Sequence, residues 1–186
     1  LVAGKHWSHK FSPLSFLPFI KFSNSPQIAV WIEDSQGNYL ETLYVTHRTA
    51  KQDWRKAPSD PTAKEDIRRP ASLPYWAHQR GVKYPDGLYQ PTKEQPLADA
   101  ITSATPKDSF KLISRLRNSE SKFIIKAEIN HSTDFNANYS KELPPEDKNY
   151  SGGEWGSGQP AVIYATEVNL ADDQSEYRLE LVGHSS

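Results

Sequence analysis

Short apolar runs separated by long polar stretches set the pattern of this chain. The run QIAVWIE (Gln27–Glu33) is apolar and β-branched, and NYLETLYVT (Asn38–Thr46) alternates more loosely. Between them, DSQGN (Asp34–Asn38) supplies a glycine and polar residues that tolerate left-handed geometry, so the pattern predicts a hairpin with a short loop. In the second half, SFKLISRL (Ser109–Leu116) and KFIIKAEIN (Lys122–Asn130) read as two strands joined around RNSES. Phe123, Ile125, Ala127 and Ile129 fall on one face of the second of these, with Lys126 and Glu128 on the other. A last hairpin is expected from PAVIYATEVNL (Pro160–Leu170) and SEYRLELVG (Ser175–Gly183) around ADDQ. Helix signals are confined to ASLPYWAHQR (Ala71–Arg80), where Pro74 suits a first helical turn.

Hairpins with almost no helix point to an all-β fold, an antiparallel β-sandwich with long irregular loops. The spacing of the strands is uneven, which favours the sandwich over the alternative of a closed barrel. One domain is expected over residues 1–186. Residues 1–26 form an N-terminal arm or first strand, residues 47–106 a long flap after the first hairpin, and residues 131–159 a polar loop. A patternless stretch as long as the flap is unusual inside a compact domain and marks it as a functional segment or a large cover.

Composition narrows the picture. With 186 residues the chain is long enough for one domain with its own core, but only 36% of it is hydrophobic and 11% is aromatic. A small, aromatic-rich core is expected. The net charge of -1, with basic and acidic residues mixed along the chain, excludes the electrostatic footprint of a nucleic-acid binder. The absence of cysteine excludes disulfides, thiolate metal sites and covalent haem attachment. No apolar run approaches the roughly 20 residues of a membrane helix, and FSPLSFLPFIKF (Phe11–Phe22) is broken by Pro13 and Pro18. Since no methionine is present, LVAGKHW is read as a start left after removal of a leader.

Several segments carry a resemblance. Ala29–Asp34 (AVWIED), Gly37, Thr42–Thr46 (TLYVT) and Arg48-Thr49-Ala50 come first. Arg69, Pro70, Ser72, Pro74 and Trp76 then fit R-P-x-S-x-P-x-W, and Asp99–Pro106 follows D-A-I-T-G-A-T-P, with Ser103 in place of the glycine. In these the chain resembles a family of predicted periplasmic bacterial and archaeal proteins catalogued as domain of unknown function 2271. The likeness covers the middle half of the chain. It implies export to the periplasm or the extracellular space and a sandwich similar to immunoglobulin or flagellar-hook-cap modules. It also implies an association with membrane reductase-like and flavin-transfer proteins, and no catalytic residues. If the family's glycine holds a positive φ, the turn at Ser103 must differ.

Candidate chemistry is sparse. The flap aromatics Trp54, Tyr75, Trp76, Tyr84 and Tyr89, interleaved with arginine and proline, have the composition of an interface centre or of a cover folded back on a sheet. His6 and His9, at i and i+3, are candidate ligands for copper or zinc, while His78 and His184 are candidate caps for a haem. Ser157 lies between glycines but outside a nucleophile elbow, and Asp172–Glu176 lacks the spacing of a calcium loop. Glu33 and Asp34 read as acids beside a turn, and Trp31 as core. Asn130, Asn138 and Asn149 head N-x-S sequences, usable for sugar only in an archaeon or a eukaryote. The expectation is therefore an exported, non-enzymatic binding or assembly subunit that needs no cofactor. Its partner would be another protein of a membrane-associated or multi-subunit extracytoplasmic assembly. The alternative is a redox accessory holding copper or haem through histidines.

Overall fold

A computed structural model describes residues 1–5, 7–11, 22–52, 54, 69–98, 102–117, 120–153 and 156–185. The described chain is mostly sheet. Strands β1 (His9–Phe11) and β2 (Phe22–Asn24) pair antiparallel as a two-stranded ribbon in the N-terminal arm. The main sheet has six strands, β3 (Gln27–Glu33), β4 (Tyr39–Thr46), β5 (Thr102–Ser103), β6 (Lys122–Asn130), β7 (Val162–Asn169) and β8 (Glu180–His184), in the order β5-β4-β3-β6-β7-β8. Five of them form a continuous antiparallel array, and β5 adds two residues parallel to β4. The sheet is open, with β5 at one edge and β8 at the other. Two short helices, α1 (His47–Lys51) and α2 (Pro74–Gln79), belong to the flap.

The first hairpin forms as its pattern predicts. Asp34 closes the turn through Oδ1, which accepts the Gln36 N–H (2.9 Å) and the Asn38 N–H (2.8 Å). Gly37 takes φ +85°, where a side chain is disfavoured. Hydrogen bonds, first from the Asn38 side chain, hold the Asp34 carboxyl below the usual range. The loose alternation of YLETLYVT has a structural cause. The register slips between Val30 and Trp31 and again between Ile32 and Glu33, leaving Leu43 and Leu40 as extra residues in β4. Both leucines pack beside Ile32, Phe123 and Val168.

The two faces of the sheet are covered differently. One face carries Ala29, Trp31 and Val45, which pack against Ala50, Leu73, Trp76 and Ala77 of the flap, all fully buried. The second face gathers a smaller cluster of Ile32, Phe123 and Val168, with Leu116, Ile125 and Tyr177 partly buried against it. Lys126 and Glu128 do lie opposite Phe123, Ile125, Ala127 and Ile129, as the alternation predicts. Their face, however, lies under the flap rather than in water, and Glu128 is fully buried.

Two expected strands are shortened or lost. Ser109–Leu116 joins no ladder. Its Phe110 exchanges backbone hydrogen bonds with Leu1, and the Arg117 N–H goes to the Glu41 side chain (2.8 Å). The expected hairpin around RNSES is therefore not formed as a strand pair, and Asn118 and Ser119 within it lie outside the described residues. The run Ser175–Gly183 pairs with β7 only from Glu180 onward. Tyr177 is drawn into the second-face cluster and donates its hydroxyl to Asn169 O (2.8 Å), which holds the residues before β8 away from the ladder.

Candidate functional site

The densest polar chemistry lies between the flap and the sheet, on residues that β3 and β6 project to one face. Gln27, Trp31 and Glu33 of β3 stand opposite Asn130, Lys126 and Ile124 of β6, and Glu128 stands opposite Ala29. The Glu33 carboxylate is completely buried. It accepts the Trp31 indole N–H (2.8 Å) on one oxygen and meets the Lys126 ammonium (2.8 Å) on the other. Lys126 also donates to the Tyr75 hydroxyl (2.9 Å). Burial pulls the Lys126 pKa down, but its hydrogen bonds to Glu33 and Tyr75 and the charge of Glu33 outweigh burial, and the net direction is up.

Glu128 supplies what α2 lacks. The residue before α2 is Leu73, which offers no side-chain cap. Both Glu128 oxygens reach across instead, accepting the Tyr75 N–H (3.1 Å) and the Trp76 N–H (2.7 Å). These satisfy two of the donors that every helix start leaves open. Burial pushes the Glu128 carboxyl up to about 8, against the pull of those two N–H groups. Beside it, Asn130 Nδ2 donates to Ala71 O and Ser72 O (both 2.6 Å), and Trp76 Nε1 donates to Thr42 Oγ1 (2.9 Å). At the far end Gln27 Oε1 accepts Thr46 Oγ1 (2.7 Å) and Thr49 Oγ1 (3.2 Å), and Thr49 meets Ser72 Oγ (3.1 Å). Chemically, this network fastens the flap. Glu33 Oε1 and both Glu128 oxygens accept from donors within the fold, and Glu33 Oε2 faces the Lys126 ammonium.

The five flap aromatics are distributed unevenly. Trp54, Trp76 and Tyr84 belong to the core, with Trp76 at 0% exposure, so they form no contact surface. Trp76 covers one sheet face, packed with Trp31 and Val45. Tyr75 and Tyr89 are half-buried; Tyr75 leans on Trp31 (5.9 Å between rings) and Tyr89 on His78 (4.2 Å). Arg69 stacks over Trp54 at 4.3 Å, and burial, followed by the charge of Arg48, lowers its pKa to about 10.

His6 and the side chain of His9 lie outside the described residues. His78 is exposed on α2, with Nδ1 2.7 Å from Pro74 O, and His184 sits in the edge strand β8. No group of three or more His, Cys, Asp or Glu side chains among the described residues is placed to hold a metal ion. Asn130 is no sugar acceptor, since it is buried and its amide is committed to three oxygens, including Ser157 Oγ at 3.1 Å. Asn138 is exposed, whereas the Asn149 amide donates to Asn138 O (3.0 Å). Ser157 is buried and donates to Ala71 O (2.8 Å), and Asp172 accepts the Asn169 amide (2.8 Å) within its turn. Ser103 lies in β5 and takes no positive φ, so the missing glycine leaves no strained turn there.

Glu33 is the clearest residue that pattern reading misplaced. It sits inside the wall of the core, not at a turn. The signal was a charge ending one apolar run, AVWIE, and a lysine set inside another, FIIKAEI; such charges stay only if they find each other.

An open cleft of about 820 Å³ lies where β8 separates from β7, lined among others by Lys122, Glu167, Asn169, Tyr177, Arg178 and Glu180. Its charges are of mixed sign. Past it, Leu181 and Val182 are 62% and 60% exposed on the edge strand. The chain matches no family model, no curated protein and no solved structure. The described residues contain no helix long and apolar enough to cross a membrane.

Proposed function

We propose that this protein is an exported, non-enzymatic binding subunit that docks on another protein through the β8 edge of its sheet. One observation carries the reading. On the flap face Glu33, Lys126, Glu128 and Asn130 are engaged in fastening the flap, whereas β8, which ends the sheet, presents Leu181 and Val182 to solvent. An edge strand with exposed aliphatics invites another chain to extend the sheet. The family resemblance supports export. It also supports a sandwich, in which residues 104–117 lie over the face of Ile32 and Phe123. In line with this, Phe110 packs on Tyr44 (5.2 Å) and on Trp7 (6.5 Å), and Leu116 packs against the second-face cluster.

The test compares the wild-type protein with Leu181→Lys/Val182→Lys, each purified from its native host. A single partner held in fixed stoichiometry by the wild type and lost by the variant supports the reading. The same partner held equally by both would overturn the β8 assignment. Substrate turnover by the isolated chain would overturn the non-enzymatic one.

A further inference from the structure

Residues Lys111–Leu116 have the sequence of a strand and lack the pairing of one. None of them makes a backbone hydrogen bond among the described residues. The segment is anchored at its ends and exposed in its middle. Phe110 and Leu116 turn inward, onto Tyr44 and onto the Phe123 cluster. Between them Lys111–Arg115 are all exposed, Leu112 at 39% and Ile113 at 83%, and in an extended segment Lys111, Ile113 and Arg115 share one row. Phe110, beside Tyr44, and Arg117, bonded to Glu41, place the segment on the β4 side of the sheet, away from β8.

We propose that Lys111–Leu116 is a strand-addition site for an extended acidic segment of a partner protein. The added strand would bring carboxylates opposite Lys111 and Arg115 and an aliphatic side chain opposite Ile113. Self-pairing about Ile113 is disfavoured, because it sets Lys111 against Arg115 of the second copy, and like charges directly opposite destabilise a strand pair. A bilayer is a poorer fit, since Leu112 and Ile113 are little to insert, and lipid leaves the unpaired backbone groups without partners. This inference deepens the binding-subunit reading and rests on it, but it uses a different edge of the molecule.

The test uses a blocked peptide, Thr-Glu-Thr-Val-Thr-Glu-Thr, whose symmetry fits either strand direction, and its counterpart with lysine for glutamate. Calorimetry should show the glutamate peptide binding about tenfold tighter than the lysine peptide, the sum of two cross-strand charge pairs. The amides of residues 111–116 should gain exchange protection. Lys111→Glu/Arg115→Glu, at exposed positions, should reverse the preference, and Ile113→Pro, which removes the central N–H, should abolish binding of both peptides. Several results would overturn the inference. They are equal affinity for the two peptides, binding of neither, protection at residues 180–184 in place of 111–116, or adsorption to anionic vesicles that the charge-reversed variant loses while neither peptide binds. Val182→Lys should leave peptide binding unchanged, so the β8 assignment and this one fail separately.

Discussion

The two faces of the main sheet solve the same burial problem with different means. Under the flap, Trp31 and Trp76 are fully buried, their indole N–H groups donate to Glu33 and Thr42, and Glu33 meets Lys126. On the other face, a few aliphatics with two bulge leucines make a smaller cluster whose margins stay half exposed. The first arrangement joins large apolar area to directional bonds. The second has the smaller cluster and scattered side-chain bonds at its margins, such as Tyr44 to Ala104 O (3.3 Å) and Tyr177 to Asn169 O (2.8 Å), and segments such as Lys111–Leu116 pass across it without a ladder. The comparison suggests that the flap face carries stability and one register, while the other side and the edges retain room for contacts.

The largest blow to that contrast should be Trp76→Ala, which empties the flap-face core. A loss of about 3–5 kcal/mol is expected in denaturant unfolding, and a loss below about 1 kcal/mol would show the flap to be an ornament of the sheet. Lys126→Met should cost a similar or slightly smaller amount, roughly 3 kcal/mol, because it leaves the Glu33 carboxylate buried without its cation. Adding Glu33→Gln should recover much of that loss, since the amide still accepts the Trp31 N–H. A double-mutant cycle showing simple additivity would contradict the coupling.

Glu128 sharpens the contrast through pH. Below about pH 4.5 its carboxyl is protonated in folded and unfolded chains alike. From there up to about pH 8 the folded form holds a proton that the unfolded chain has released, so its contribution to stability falls as pH rises through this window. Folding stability should therefore fall between pH 5 and pH 8, by up to roughly 1.4 kcal/mol per pH unit, with thermal unfolding midpoints falling in step, and Glu128→Gln should flatten the slope. A slope unchanged in the variant would assign the dependence to other groups. At the bottom of the scale, Val182→Thr on the exposed edge should change stability by less than about 0.5 kcal/mol.

Much of the sheet was legible because its signals are local. The turn residues Asp34 and Gly37 and the apolar runs of β3, β6 and β7 carry their own conformational preferences, as does Pro74 at the start of α2. The segments that went differently depend on distant partners. Ser109–Leu116 has strand composition, but Leu1, Glu41 and Tyr44 decide where it lies, and nothing within it says so. Tyr177, likewise, is pulled from the ladder by Asn169 and the Phe123 cluster. The flap aromatics read equally well as cover or as contact, because composition does not distinguish a tryptophan turned inward from one turned outward. Glu33 was hardest, since its meaning depends on Lys126, more than ninety residues away, for which short-range periodicity has no term.

The Glu128 cap also bears on the order of events at the ribosome. A helix of six residues without a cap of its own is far below the length at which helices persist alone. Residues Tyr75 and Trp76 are synthesised 53 and 52 residues before the carboxylate that completes their helix. Until β6 has emerged, the flap lacks this cap and the Lys126 and Asn130 contacts, although its apolar partners Ala29, Trp31 and Val45 are already made. The flap is thus made early and ordered late, and a nascent chain stalled before Glu128 should be cut readily between residues 69 and 98, whereas one released beyond β7 should resist.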